Sequence, residues 1–160
     1  MISPLAVQEF NDRVRLDSNR FKNASEKTLD AFIEKRWPKP EWVFPPYIHQ
    51  KAALALCMRF PSFGMFLEMG LGKTKVMLDA FLYRRYTGEA KRMLVLVPSI
   101  TNLLEWEDQI KTHAPGLTCS TITGKGAAAR AEQVAAGDVV IVTYVGWLRL
   151  ISPGKGKIVM

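Results

Sequence analysis

The chain has 160 residues, enough for one ordinary domain with its own core, and its 48% hydrophobic and 23% charged residues fit a soluble globular protein. No apolar stretch approaches the roughly 18 to 20 residues that span a bilayer, Met1-Ile2-Ser3-Pro4 lacks the start of a secretory signal, and Cys57 and Cys119 suggest neither a disulfide framework nor a zinc site. The net charge of +7 suits a nucleic-acid partner as well as it suits an ordinary solvated surface, so charge alone does not choose.

The expected compartment is the cytoplasm (or the nucleoid or nucleus), with no secretion. Residues 1–40 are polar and mixed in charge and read as an N-terminal extension, with residues 41–160 as the main domain. Within the extension, Ser25 predicts the cap of a short helix whose apolar stripe is Leu29, Phe32 and Ile33, the spacing of one helical face. Pro38, Pro40, Pro45 and Pro46 then break the chain. A helix is expected from Ile48 to about Arg59, ended by Pro61. Gly64-Met65-Phe66-Leu67 reads as a short buried strand. The next helix runs from Lys73 to about Tyr86, with Arg84 and Arg85 suiting its negative end and Gly88 its stop.

Met93-Leu94-Val95-Leu96-Val97 predicts a second buried strand, broken by Pro98. A helix from about Thr101 to Thr112 follows, then a strand at Thr118 to Ile122. A short helix over Ala127 to Ala135 and a strand at Val139 to Val142 complete the pattern. Continuous apolar strands alternating with helices predict an α/β fold, a parallel sheet with helices on both faces.

The chemistry concentrates at Glu68-Met69-Gly70-Leu71-Gly72-Lys73-Thr74. A strand, a glycine-rich turn and a helix are the context a phosphate-binding loop requires. The glycines let backbone N–H groups approach oxyanions, and the helix N-terminus adds partial positive charge. Lys73 can reach the β- and γ-phosphates, and the Thr74 hydroxyl can ligate Mg²⁺, so ATP and Mg²⁺ are the expected cofactors. The general pattern places a glycine five residues before Gly72, where this chain has Leu67. The alternative is a glycine-rich turn that merely precedes a helix. Gly124-Lys125-Gly126 and Gly154-Lys155-Gly156 lack the Gly-Lys-Thr ending and read as ordinary basic loops.

The same segment resembles motif I of superfamily-two helicases, specifically the SWI/SNF-like group of DNA translocases, in which the first glycine is commonly replaced. The resemblance covers roughly residues 44–146 and implies a RecA-like lobe. Pro46-Tyr47-Ile48-His49-Gln50-Lys51 resembles the family's adenine-recognition segment, which gives Gln50 the adenine edge to read. Otherwise Gln50 is a plain polar helix residue. Tyr47 packs near the base or in the core.

Leu94-Val95-Leu96-Val97-Pro98-Ser99 followed by Trp106-Glu107-Asp108-Gln109-Ile110 resembles motif Ia and its helix. By that analogy Ser99, Thr101 and Asn102 contact the backbone of DNA, double-stranded in this group, and Trp106 packs the helix to the sheet. Helix capping by Ser99 or Thr101 is the plainer alternative. Val139-Val140-Ile141-Val142-Thr143-Tyr144 resembles the next segment, a strand before a short helix. Thr143 is then another phosphate contact, or a strand-end hydroxyl bonded locally.

Phosphoryl transfer also needs acidic residues for Mg²⁺ and for the attacking water. In the family these are an Asp-Glu pair at the end of a later strand. Here the only adjacent acidic pair is Glu107-Asp108, within a predicted helix, and no acidic residue follows Asp138. The family's arginine fingers and second RecA-like lobe are missing as well. The sequence therefore reads as the N-terminal part of a longer ATPase, with marginal stability or association expected in isolation. Two rivals stand beside this reading: another phosphate-loop enzyme, such as a nucleotide kinase, and a non-catalytic nucleic-acid- or protein-binding module derived from a helicase.

Overall fold

A computed structural model describes residues 3–123 and 127–151, which divide into two compact units at the Glu89–Ala90 link. The two Gly-Lys-Gly loops at 124–126 and 154–156 lie outside the described residues.

The first unit carries four helices among its described residues: α1 (Pro4–Lys22), α2 (Glu26–Glu34), α3 (Ile48–Arg59) and α4 (Lys73–Tyr86). The three expected helices form where the sequence places them. Ser25 caps α2, its Oγ accepting the Thr28 N–H at 3.3 Å, and Leu29 and Ile33 are buried. Helix α1 was not expected. It begins on Ser3, whose Oγ accepts the Ala6 N–H at 3.2 Å, with Pro4 in the first helical turn.

Both N-terminal helices pack on α3. Phe21 and Leu29 close over Ala55, Arg59 pairs with Asp17 at 2.7 Å, and Lys51 reaches Glu26 at 2.8 Å and Asp30 at 2.7 Å. On α3's other side, Ala53 and Leu54 pack with Val76 and Ala80 of α4. Arg84 does more than suit its own helix end. Its guanidinium donates to the Cys57 and Phe60 carbonyls, both at 3.1 Å, and so satisfies the open end of α3.

The expected strand at Gly64–Leu67 does not form. The segment joins no ladder among the described residues. It keeps the two-residue alternation of an extended chain: Phe63, Met65 and Leu67 pack on the α3–α4 cluster, and Phe66 points out, 98% exposed. It is therefore half-buried, with one face covered. A strand is made by its neighbours' hydrogen bonds, and an apolar run alone does not supply them.

The second unit is a three-stranded parallel sheet in the order β1-β3-β2, with β1 at Met93–Val97, β2 at Cys119–Thr121 and β3 at Val139–Thr143. Val95 pairs with Ile141 and Thr121 with Ile141, so residues 95, 121 and 141 share one face. Helix α5 (Ile100–His113) covers that face, where Thr121 Oγ1 donates to Glu107. Helices α6 (Ala127–Ala136) and α7 (Tyr144–Ile151) cover the other, with Val134, Trp147 and Leu150 packed on Ile122, Val140 and Val142. This unit has the expected layers, a parallel sheet between helices.

Central β3 is buried along four of its five residues, whereas Leu94 and Leu96 of edge strand β1 remain 46% and 39% exposed. Among the described residues β1 pairs only with β3, and an unpaired parallel edge is a template for pairing. The chain is expected to self-associate at tens of micromolar concentration and to melt broadly. Sedimentation with a thermal melt checks this, and a monomer with one sharp transition contradicts it.

Candidate functional site

The phosphate-loop residues lie together at the start of α4. Gly70 and Gly72 adopt left-handed backbone, with φ of 81° and 77°, a region that glycine enters without steric cost. At Gly72 there is a second constraint: a Cβ would run into Gln50 Nε2. Gly72 is also the N-cap residue of α4, and no side chain caps the helix. The first N–H groups of α4 therefore keep hydrogen-bonding capacity for an anion. Glu68, Met69 and Gly70 are exposed, while Leu71, Gly72, Lys73 and Thr74 are half-buried.

Lys73 bends back over the loop. Its Nζ donates to the Leu67 carbonyl at 2.7 Å and to the Glu68 carbonyl at 3.0 Å. An ammonium has three donors, so one remains for another acceptor. Two positions on, Lys75 points away from this work: it forms a buried ion pair with Asp79 at 2.6 Å.

Gln50 reaches the loop from α3. Its Oε1 accepts the Tyr47 N–H at 3.0 Å, and its Nε2 donates to the Leu71 carbonyl at 3.2 Å. These partners fix which amide atom is oxygen, because an N–H only donates and a carbonyl only accepts. His49 Nε2 shares the same Leu71 carbonyl, also at 3.2 Å. No local signal marks this histidine's contact, since its partner is a backbone atom 22 residues on. Tyr47 is 72% exposed, which rules out the core packing offered as an alternative.

In the second unit, Ser99 caps α5. Its Oγ accepts the Asn102 N–H at 3.4 Å and donates to Asn102 Oδ1 at 2.8 Å, and Asn102 Nδ2 continues to Glu105 at 3.1 Å. Thr143 Oγ1 accepts the Gly146 N–H at 3.1 Å in the first turn of α7. Both hydroxyls thus have the local roles that the plainer alternatives assign them. Thr101 is exposed in the first turn of α5, and Trp106 is half-buried. Val97 and Thr143 are register partners, so the starts of α5 and α7 follow the carboxyl ends of neighbouring strands.

The acidic residues are engaged elsewhere. Asp138 stands before β3, and its Oδ2 accepts the Thr118 N–H at 2.9 Å and the Thr118 hydroxyl at 2.8 Å. Glu107 holds Thr121, and Asp108 lies 3.7 Å from Lys111. Among the described residues no cluster of three acidic, histidine or cysteine side chains could hold a metal ion. No helix among them is long and apolar enough to cross a membrane.

A Gly-Lys-Thr turn that opens a helix and, in the second unit, a parallel sheet between helices are features of phosphate-loop proteins, although no paired strand precedes the turn among the described residues. Residues 49–153 match the family described as the SNF2-related domain, and the chain belongs to that family. Among solved structures, the SWI2/SNF2 ATPase core of Sulfolobus solfataricus, in complex with double-stranded DNA, is similar over 69% of this chain, at 24% identity and a TM-score of 0.58. This likeness supports the fold, an incomplete RecA-like lobe, and the chain spans 24% of that structure's length. No curated protein matches the chain.

Proposed function

We propose that this chain is the nucleotide-binding N-terminal part of an ATP-dependent DNA translocase, in which ATP hydrolysis drives movement along double-stranded DNA. The observation that carries the reading is the Gln50 side chain seated on the phosphate loop at Leu71. An amide oxygen has two lone pairs and an amide nitrogen two hydrogens. Tyr47 N–H and the Leu71 carbonyl take one of each, which leaves one acceptor and one donor, the pair that adenine's edge needs.

Lys73 and the first N–H groups of α4 hold the phosphates, with the residues from Glu68 to Gly72 forming the loop around them. Thr74 gives Mg²⁺ one hydroxyl ligand, and the metal neutralises phosphate charge when bound. The acidic ligand and the water-positioning residue are assigned to parts of the longer protein outside residues 1–160. Ser99, Asn102 and Thr143 lie by two helix N-termini and contact DNA phosphates without reading sequence. The protein works on DNA in the cytoplasm, the nucleoid or the nucleus.

Titration of the chain with ATP and GTP, in parallel with Gln50→Ala, tests the adenine assignment. The chain is expected to prefer ATP by roughly tenfold, on the order of two modest hydrogen bonds, and the variant to lose the preference. Equal affinities in the unaltered chain would remove Gln50 from adenine recognition. ATPase and translocation assays on the longer protein separate the translocase from a non-catalytic binding module.

A further inference from the structure

His49 and Gln50 are consecutive on α3, yet both side chains end on one acceptor, the Leu71 carbonyl, at 3.2 Å each. A carbonyl oxygen only accepts, so His49 Nε2 carries a hydrogen in this contact. The histidine ring is itself steadied: the Tyr47 ring lies near-parallel to it, with centroids 6.0 Å apart and planes 15° from parallel. The residue after Leu71 is Gly72, which has φ of 77° and starts α4.

We propose that His49 is the positioning residue of the phosphate loop, pinning the Leu71 carbonyl while Gln50 reads the base. The inference rests on the nucleotide-site reading above. A trans peptide is a rigid plane in which N–H and C=O point in opposite directions. Holding Leu71 O toward α3 therefore turns the Gly72 N–H away from α3, in the backbone that leads into the first turn of α4. Gln50 divides its amide among the Tyr47 N–H, this carbonyl and the base, so a second donor on the carbonyl fixes the loop more firmly. His49 meets no nucleotide atom in this scheme. Its effect falls on the loop, and so on every nucleoside triphosphate alike.

The chain, His49→Ala, His49→Gln and Gln50→Ala are titrated with ATP and GTP, and amide hydrogen exchange is followed at Leu71, whose N–H is bonded to the Glu68 carbonyl at 3.4 Å. His49→Ala is expected to weaken both nucleotides about fivefold with the ATP-to-GTP ratio kept, and to speed exchange at Leu71. His49→Gln places an amide nitrogen at a similar reach and is expected to restore both affinity and protection. Gln50→Ala changes the ratio instead. Unchanged affinity and exchange in His49→Ala, or a loss confined to ATP, overturns the proposal. If the unaltered chain binds neither nucleotide, the nucleotide-site reading fails, and the exchange comparison still decides the role of His49: faster exchange that His49→Gln reverses supports it, and equal exchange overturns it.

Discussion

Lys73→Ala is expected to reduce ATP affinity about a hundredfold in a calorimetric titration with Mg²⁺ present, with little change in the melting behaviour of the chain. The size follows from the bonds lost. A hydrogen bond to a charged group contributes about 1.5 to 3 kcal/mol and an ammonium on two phosphates makes two of them, but the two carbonyl bonds given up in exchange bring the net down to about 2.7 kcal/mol, a hundredfold. The small effect on stability follows from what Lys73 does without nucleotide, since its Nζ bonds the Leu67 and Glu68 carbonyls at a half-buried to exposed loop. Those two bonds have to be exchanged for phosphate oxygens when ATP enters, so the loop is closed over its own lysine at the outset. Lys73→Arg is not a rescue. A planar guanidinium cannot replace a compact ammonium inside a tight turn. Unchanged affinity in Lys73→Ala would show that the phosphates are held elsewhere.

Much of the candidate site's backbone geometry was legible in the sequence because its signals are local. Gly70 and Gly72 stand where positive φ is needed, Lys73 opens the helix, and Gln50 sits 23 residues upstream of Lys73 on the first turn of its own helix. The four helices from α2 to α5 were legible for the same reason, since Ser25 and Ser99 cap two of them and Pro61 or Gly88 lies just past the ends of the other two. What escaped was non-local. The apolar run at Gly64–Leu67 looked like a buried strand, but pairing depends on neighbours that the segment itself cannot specify. Lys51 ties α2 to α3 through Glu26 and Asp30, partners that lie more than twenty residues away in the chain. Helix α1 did carry a signal, Ser3 before Pro4, yet its apolar stripe of Phe10, Val14 and Phe21 is too narrow to stand out among charges.

The largest stability effect is expected at the one buried ion pair described within α4. Lys75 and Asp79 keep 7% and 2% of their side-chain exposure and meet at 2.6 Å, one helical turn apart. Asp79→Leu leaves a buried ammonium without its counter-charge and is expected to cost about 3 to 5 kcal/mol in urea denaturation. Lys75→Met with Asp79→Leu removes both charges and is expected to recover all of that loss, and up to about 4 kcal/mol more, because neither ion has then to leave water. Burial pushes the Asp79 carboxyl above the ordinary carboxylate range, and the bond and charge of Lys75 only partly oppose it. A folded-state pKa raised above the unfolded one gives stability that is complete below about pH 4 and is lost as pH rises through the raised value. The double variant lacks this loss, so its advantage over the unaltered chain should widen from acid toward neutral pH. ATP affinity of the double variant is expected to stay within about twofold, since Lys75 points into the core while Lys73 serves the loop. A double variant as unstable as Asp79→Leu would mean that the pair itself, by its geometry, holds α4 in place.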